Sequence, residues 1–267
     1  MNFEDAIGNR HPRAEESARI VSLVPSLTEL VIDLELDEQL VGRTGFCIHP
    51  RTVVKKIAKV GGTKDVNFDA LKALAPTHVL VNIDENTRET YESLQKFVPH
   101  VIVTHPETPQ DNTALYALVG GIFNREAQAR RLAGAFERAL QRLKALPEVE
   151  PRKVLYLIWR DPWMTVTPET YIARMLKLIN WETVPSSADA RYPEIDLAEQ
   201  ASASDLILLS SEPYPFRDKH LDEVRALSNG VHTMIVDGEM LSWYGSRAIP
   251  GLQYLATLAT DERGSLH

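Results

Sequence analysis

The stretch RIVSLVPSLTE, residues Arg19–Glu29, shows in miniature the pattern that the rest of the chain repeats. Its first half, Arg19–Val24, is a short apolar run of the length expected for a buried strand, and Pro25 ends it. A helix is predicted to follow over Leu27–Leu34, with Ser26 or Thr28 as its N-cap and Glu29 in its first turn. A strand that leads into a helix through so short a connection is typical of a parallel α/β architecture.

The same alternation continues as far as Thr104, with connections of only a few residues. Further strands are predicted at Leu40–Gly42, His78–Val81 and Val101–Thr104, and helices at Phe68–Leu74, with Asn67 as its N-cap, and at Asn86–Phe97. The first part of the chain is therefore predicted to form one parallel α/β lobe.

A long helical stretch follows this lobe, over Asn112–Leu146, with a break predicted at Gly120–Asn124. Its second half, Arg125–Leu146, carries apolar residues at a spacing of three to four, while the opposite face is rich in Arg, Glu and Gln. A helix of that length spans about 33 Å, which is enough to connect two lobes. The apolar positions are Ala129, Leu132, Ala133, Phe136, Leu140 and Leu143.

Strands and helices alternate again after this helix. Strands are predicted at Lys153–Ile158, Asp205–Ser210 and Thr233–Val236, and helices at Thr170–Ile179, Asp218–Leu227 and Pro250–Thr260. The predicted fold is α/β, with two Rossmann-like lobes whose parallel sheets are joined by one long backbone α-helix. The predicted boundaries are an N-terminal lobe over 1–111, a connecting helix region over 112–147 and a C-terminal lobe over 148–267.

The composition excludes several classes of protein. The chain has 267 residues, of which 44% are hydrophobic and 25% charged, as in an ordinary globular protein rather than a disordered or low-complexity chain. The net charge of −8 argues against non-specific binding to nucleic acid or anionic lipid, since both require clustered positive charge. No run of 18 apolar residues is present, so no membrane-spanning segment is predicted. The single cysteine, Cys47, excludes an intrachain disulfide.

The first residues, MNFEDAIGNR, contain acidic residues and no apolar core of a signal peptide. From this start alone we expect either a cytoplasmic protein or a chain from which an export signal is missing.

Loops that follow the predicted strands are the candidate functional site, because ligands of parallel α/β proteins bind at the carboxyl ends of the strands. These loops hold three of the four tryptophans, and tryptophan in a loop is more typical of a ligand site than of a solvated surface. The loops are Pro25–Glu29, Phe46–Pro50 and Asn82–Asn86 in the first lobe, and Trp159–Trp163, Ser211–Phe216 and Asp237–Arg247 in the second.

Aromatic residues accompanied by two arginines suit a bulky planar or amphipathic anion, and the alternative is that the aromatic residues only pack between the lobes. We expect aromatic side chains to stack on the ligand and Arg160 and Arg247 to pair with its acidic groups. The predicted ligand-binding residues are Phe46, Trp159, Arg160, Trp163, Tyr192, Glu212, Tyr214, Trp243, Tyr244 and Arg247.

Signals for catalysis and for a metal are weak. Cys47 and His49 alone do not define a nucleophile and base, and Gly61–Lys64 lacks the glycine spacing of a phosphate loop. The histidines show no metal-ligand spacing, although His49, His105 and His220 lie near the candidate loops. No catalytic residue, metal site or covalently bound cofactor is therefore predicted.

Several stretches resemble the class III periplasmic binding proteins, the vitamin B12, ferric-siderophore and haem receptors, among which the vitamin B12-binding proteins are the nearest match. The resemblance covers about residues 19–260. It rests on RIVSLVPSLTE, on Val41-Gly42, Val60, Asn67–Leu74 and Pro76, and on Arg152–Trp159, Leu197-Ala198-Glu199 and Ala203–Leu209.

This resemblance implies two lobes, a rigid connecting helix and a ligand cleft between the lobes. It places Phe46, Trp243 and Arg247 at cleft positions, and Glu89 near a glutamate that docks the transporter. Asn82 stands where vitamin B12 receptors have a cleft tryptophan, and Ser242 where they have a second docking glutamate. These departures suggest a related subfamily whose ligand differs.

We therefore expect a solute-binding protein, not an enzyme, that serves as the receptor of an ABC importer. Its expected ligand is a metal chelate or corrinoid, such as vitamin B12, a ferric siderophore or a haem-like compound. Its expected partner is an ABC permease docking near Glu89; no nucleic-acid partner is expected, and the protein is expected to be monomeric. The family resemblance implies a periplasmic location, whereas the chain start leaves a cytoplasmic one open.

Two alternatives stay open. The chain could be a cytoplasmic enzyme or accessory factor acting on a cofactor or its precursor, with Cys47, His49, Glu85 and Glu212 as working residues. It could also be an interaction module that has lost its ligand, although exposed tryptophans without a partner reduce solubility.

Overall fold

The computed structural model describes residues 3–264, with side chains as far as residue 260. The chain forms two units. The first comprises Met1–Pro106, Gln110–Phe136 and Tyr244–Arg247, and the second comprises Glu107–Pro109, Glu137–Trp243 and Ala248–His267. The sequence-based boundaries at residues 111 and 147 stay predictions.

The strands form one small hairpin and two parallel sheets. The strands are β1 (Phe3–Glu4), β2 (Arg10–His11), β3 (Ile20–Ser22), β4 (Leu40–Arg43), β5 (Ala58–Lys59), β6 (His78–Asn82), β7 (His100–Thr104), β8 (Arg152–Leu157), β9 (Trp181–Thr183), β10 (Leu206–Ser210) and β11 (Thr233–Val236). In the first unit, β3 lies at the centre of a five-stranded sheet of order β5-β4-β3-β6-β7, and the second unit contains a four-stranded sheet of order β11-β10-β8-β9.

Every pairing within the two larger sheets is parallel, which confirms the predicted fold class. The central strands β3, β6 and β10 are buried along their whole length, as expected for strands of a parallel sheet covered by helices. Val21, Val79 and Val101 lie in the core of the first unit, and Leu155 and Ile207 in that of the second.

The helices occupy the segments between the strands, and most agree with the sequence-based prediction to within a few residues. They are α1 (Pro25–Asp33), α2 (Arg51–Val54), α3 (Phe68–Ala73), α4 (Arg88–Leu94), α5 (Asn112–Ile122), α6 (Glu126–Lys144), α7 (Tyr171–Lys177), α8 (Leu197–Ser202), α9 (Asp218–Leu227), α10 (Gly238–Ser242) and α11 (Ala248–Gly264).

The long helical stretch is divided as predicted, with a break between α5 and α6. Asn124 adopts a left-handed backbone conformation at this break, with φ of 57°, which asparagine tolerates better than most residues. In α6 the predicted apolar stripe supplies the buried residues Ala129, Phe136, Leu140 and Leu143. The helix passes from the first unit into the second after Phe136.

Two predicted helix starts are wrong. Helix α1 begins at Pro25 with Val24 as its N-cap, and it has no side-chain cap because valine carries no hydrogen-bond acceptor. Proline suits the first helical position, since its φ is already helical and its missing N–H would have no partner within the helix. Helix α4 begins at Arg88 rather than Asn86, and its cap is Thr87, whose hydroxyl accepts a hydrogen bond from the amide of Thr90. In contrast, the predicted cap Asn67 does accept a hydrogen bond from the amide of Ala70.

No helix within residues 3–264 is both long enough and apolar enough to span a membrane.

Candidate functional site

Three large apolar side chains are exposed at the carboxyl end of the first unit's sheet. Phe46 and Ile48 lie in the loop after β4 and are 63% and 48% exposed, and Ile83 follows β6 and is 44% exposed. We call these three residues the first strand-end face. Exposed apolar side chains grouped at the ligand-binding end of a sheet are typical of a ligand contact surface.

The position of Phe46 depends on a turn made by two glycines. Gly61 has φ of 99°, which favours glycine, and its carbonyl accepts a hydrogen bond of 2.7 Å from the amide of Gly45. A Cβ atom added to Gly62 would lie 3.2 Å from the ring of Phe46, so that ring rests against bare backbone. The sequence GGT, interpreted above as a turn, therefore supports the most exposed aromatic residue of this face.

Cys47 holds the same loop to α1. Its Sγ atom lies 3.0 Å from Oγ1 of Thr28 and 3.1 Å from Oγ1 of Thr44, and the residue is 1% exposed. Burial raises the pKa of the thiol, so the nucleophilic thiolate is disfavoured. Its environment suits a packed structural thiol.

Asn82 and Asn86 shape the turn that presents Ile83. Oδ1 of Asn86 accepts from the amide of Asn82, and Oδ1 of Asn82 accepts from the amide of Asp84. The Asn86 side chain also donates to the carbonyl of Thr63, at 2.8 Å. Since Asn82 is buried and its side chain is used in this turn, the exposed residue at the end of β6 is Ile83.

The segment Tyr244–Arg247 belongs to the first unit and is held there by hydrogen bonds. The Tyr244 hydroxyl donates to Glu85 at 3.1 Å, and burial together with the Glu85 carboxylate raises the pKa of Tyr244. The amide of Gly245 donates to Asn112, and its carbonyl accepts from the Tyr116 hydroxyl. Tyr244 itself is only 6% exposed.

Arg247 forms a two-point ion pair with Glu29 of α1. Its Nε and Nη2 atoms donate to the two carboxylate oxygens at 2.8 and 2.7 Å, and the two side chains are 10% and 16% exposed. This geometry is the strong, planar form of an arginine–carboxylate interaction. Whether Arg247 also contacts a ligand stays a prediction.

Aromatic side chains form a connected cluster at the carboxyl end of the second unit's sheet. We call Trp159, Trp163, Tyr214 and Phe216 the second strand-end face. Trp159 packs edge-on against Tyr214, Tyr214 lies 4.7 Å from Phe216, and Phe216 stacks on Trp163 at an interplanar angle of 3°. Trp159 is 40% exposed and thus offers part of its indole to a ligand.

Arg160 packs against Trp163 of this cluster. It donates to both carboxylate oxygens of Glu223 at 2.8 to 3.1 Å and to Asp161 at 2.6 Å, while its guanidinium carbon lies 5.9 Å from the centre of the Trp163 ring. Two carboxylates therefore already neutralise Arg160 in the second unit. Its predicted pairing with an acidic ligand group stays a prediction.

Glu212 lies beside the second strand-end face and is largely buried. One carboxylate oxygen accepts from the indole N–H of Trp243 at 2.6 Å and from the Ser242 hydroxyl at 3.0 Å. Burial and the nearby carboxylates of Glu239 and Asp237 raise the pKa of Glu212. Trp243 is only 8% exposed, so this indole is engaged mainly with Glu212.

The predicted site residues thus divide by unit and by exposure. Phe46 and Trp159 are exposed, and Trp243 and Tyr244 are buried. The others lie between these extremes: Arg160, Trp163, Tyr192, Glu212, Tyr214 and Arg247. Sequence reasoning did not single out Ile48 and Ile83. For Ile83 the available signal was an apolar residue directly after a buried strand, where the chain turns. Ile48 lies five residues beyond the end of β4 and carries no such signal.

Chemistry beyond binding receives little support from these groups. No three histidine, cysteine, aspartate or glutamate side chains within residues 3–260 are grouped so that they could hold a metal ion. Of the four residues named for an enzyme, Cys47, His49, Glu85 and Glu212, the first is buried and has a raised pKa.

Two parallel α/β units linked through a long helix, each with an apolar strand-end face, define a two-lobe solute-binding protein in architecture. The chain belongs to the periplasmic binding protein family, whose sequence pattern matches residues 20–229. Membership in a family of binding proteins supports the prediction that the chain is not an enzyme.

Individual relatives are distant. A vitamin B12-binding protein of Pectobacterium carotovorum is 23% identical over 180 residues, which cover 66% of this chain and 65% of the relative. The high-affinity heme uptake system protein IsdE of Staphylococcus aureus (strain Newman) is 28% identical, over 64% of this chain and 59% of its own length. The chain thus matches less than two thirds of the length of either relative.

Among solved structures, the periplasmic vitamin B12 binding protein BtuF of Vibrio cholerae is similar, with a TM-score of 0.79. The similarity covers 92% of this chain and 97% of that structure, at 14% sequence identity. At that identity the comparison shows the fold alone, and it agrees with the predicted architecture.

Proposed function

We propose that this protein is a solute-binding protein that holds a metal chelate or corrinoid, with the two strand-end faces as its contact surfaces. The observation that carries the proposal is the position of its exposed apolar residues. Six large hydrophobic residues are exposed in the described part of the chain, and four of them, Phe46, Ile48, Ile83 and Trp159, follow strand ends. Solvated loops rarely concentrate such residues unless a ligand covers them.

The partners of two charged residues narrow the class of ligand that we propose. Arg247 and Arg160 are both paired with carboxylates of their own unit, so in this proposal they position loops and the ligand binds mainly through apolar contact. A compound with a large planar or apolar face fits best, and the corrin ring of vitamin B12 and the porphyrin of haem have such a face. A ferric siderophore is a more compact chelate and would use less of this surface. Relatives named for vitamin B12 and for heme support the same class.

A ligand panel tests the proposal. Purified protein is titrated with cyanocobalamin, haemin and a ferric hydroxamate siderophore, and tryptophan fluorescence and melting temperature are recorded. We expect at least one compound to quench the fluorescence and raise the melting temperature, because a ligand that binds only the folded state stabilises it. A panel without any response would contradict the proposal.

An ABC permease is the proposed partner. Glu89 lies exposed in the first turn of α4, where a partner's arginine can reach it. Copurification with the host's permease, lost on Glu89→Arg and retained on Glu92→Arg in the same helix, is the expected result. Equal loss in both variants would point to a general charge effect instead.

Family membership supports a periplasmic location for this function. Fractionation of the native host, with the protein detected by antibody, distinguishes this location from the cytoplasmic alternative.

A further inference from the structure

Three histidines meet at the end of the first unit's sheet that is opposite the strand-end face. His78 is the first residue of β6 and His100 the first residue of β7, and the two are paired in register. Their rings stack with centroids 4.8 Å apart, and the ring of His11 from β2 packs edge-on against His100 at 6.1 Å. We call His11, His78 and His100 the histidine cluster.

The surroundings of His78 favour a neutral imidazole. Nδ1 of His11 and Nε2 of His78 are buried without a hydrogen-bond partner, and both residues are 4% exposed. The ring of Phe123 covers His78 edge-on at 5.0 Å, while Nδ1 of His78 lies 2.8 Å from the Thr77 hydroxyl. In a doubly protonated His78, the buried Nε2 N–H would have no acceptor, whereas Nδ1 could still donate to the Thr77 hydroxyl.

The carboxylate of Asp5 contacts the cluster and accepts several other hydrogen bonds. Asp5 contacts Nε2 of His11 at 3.1 Å and also accepts from the amides of Ile7, Asn9 and Val103. Burial acts to raise the pKa of Asp5, but these hydrogen bonds outweigh burial and lower it overall.

Nearby cations have partners elsewhere. The guanidinium of Arg13 binds Glu126, and that of Arg19 donates to the carbonyl of Leu74.

The same Asp5 fastens the N-terminal hairpin to the edge of the sheet. Strand β7 is the outermost strand, and its Val103 exchanges hydrogen bonds with the hairpin: Val103 donates to the Asp5 carboxylate and accepts from the amide of Ala6, both at 3.0 Å. Further along, the amide of Ala14 donates to the carbonyl of Ile122. The segment of residues 3–14 is therefore held to β7 through Asp5 and Ala6 and to α5 through Ala14, and it covers part of an otherwise open sheet edge.

We propose that the histidine cluster is an acid-sensitive latch: protonation of His78 and His100 places positive charges in contact beneath the hairpin and releases residues 3–14 from β7. Release lets water reach the imidazoles and separates the rings, and it also exposes the edge of the sheet.

The direction of the pH effect follows from the buried rings. Burial, together with His100 and His11, lowers the pKa of His78 to about 4, and burial and His11 lower that of His100. In the released state both values return toward 6.5, the ordinary value for histidine. Protons therefore bind the released state more tightly, and lowering the pH from about 6.5 to about 4 favours release.

Amide hydrogen exchange tests the latch, with rates expressed as protection factors so that intrinsic pH effects cancel. We expect protection of the amides of Ala6, Ala14 and Val103 to fall at least about tenfold between about pH 7.5 and about pH 5. The amide of Ser211, which bonds to Val236 in the second unit, serves as the internal reference and should keep its protection.

Variants distinguish an effect of the histidine cluster on amide protection from a general effect of acid. His100→Gln, at the half-exposed member, and His78→Asn, which retains a group near the Thr77 hydroxyl, should each reduce the loss of protection. The control is His232→Gln, an exposed histidine of the second unit, which should behave like the parent.

Unchanged protection at acid pH would overturn the latch. So would an acid response that His100→Gln leaves intact, or a His78 resonance that titrates near pH 6.5 in the folded protein. The last measurement uses the unmodified chain and does not depend on any variant folding.

Discussion

Phe46 is the residue on which the proposed ligand contact depends most directly. Its ring is 63% exposed and rests on the Gly61–Gly62 turn, so it can cover a flat ligand without rearranging its support. Removal of an aromatic contact of this kind costs about 1–2 kcal/mol, or roughly tenfold in affinity.

We therefore expect Phe46→Ala to weaken binding of a ligand identified in the panel about tenfold, as measured by fluorescence titration. Leu227→Ala is the matched control, because Leu227 is also a large exposed apolar residue (45%) but lies at the end of α9, outside the two faces. Equal affinities for the two variants would remove Phe46 from the contact surface.

The Arg247–Glu29 pair leads to a prediction about stability. Since both side chains are mostly buried, replacing Arg247 with Met leaves the Glu29 carboxylate without its partner, at a cost of about 3 kcal/mol in the free energy of unfolding. Urea denaturation measures this loss.

Arg88→Met provides the comparison for that experiment. Arg88 pairs with Glu92 on the surface of α4, with side chains 86% and 52% exposed. Surface pairs of this type contribute less than about 0.5 kcal/mol. A loss in Arg247→Met no larger than that in Arg88→Met would show that the pair is structurally unimportant.

At the scale of single elements, the cap of α3 offers a direct test of the sequence-based prediction. The Asn67 side chain accepts a hydrogen bond of 3.0 Å from the amide of Ala70. Asn67→Ala should lower the free energy of unfolding by about 1 kcal/mol, while Asn67→Asp, which retains the acceptor, should not. Thermal denaturation of the three proteins distinguishes these outcomes, and equal losses in Ala and Asp would show that the cap is not the cause.

Elements were predictable where their signals are local. Asn67 caps α3 because its side chain reaches an amide three residues ahead, and the apolar stripe of α6 follows from helical spacing alone. Asn86 was misassigned to a helix because its side chain is used by partners distant in sequence, the carbonyls of Leu23 and Thr63. Strand β9 has only three residues, too few to show a period.

The site was predictable in location but not in detail. Strand alternation places the loops, which is why Phe46 and Trp159 were found. The partners of Arg160 and Arg247 were not, because Glu223 and Glu29 lie 63 and 218 residues away in sequence. An arginine expected to face a ligand and one paired within its own unit look identical in a sequence.

At the scale of the whole molecule, whose net charge is −8, the salt dependence of binding tests how the ligand is recognised. If contact is mainly apolar and both arginines are neutralised, the dissociation constant should change less than about twofold between 50 and 500 mM NaCl, because salt screens only charge–charge interactions. Isothermal titration calorimetry at both concentrations measures this. An affinity that falls steeply with salt would show instead that charged groups of the protein bind charged groups of the ligand.

Cys47 is the single thiol of the chain and is 1% exposed, fastened between Thr28 and Thr44. The reactivity of this thiol therefore reports on the motion of the loop that carries Phe46. A maleimide or disulfide reagent can modify it only when the loop leaves α1, so the rate of labelling in native buffer reports the frequency of that opening. A bound ligand that covers the first strand-end face should slow the reaction without touching the sulfur.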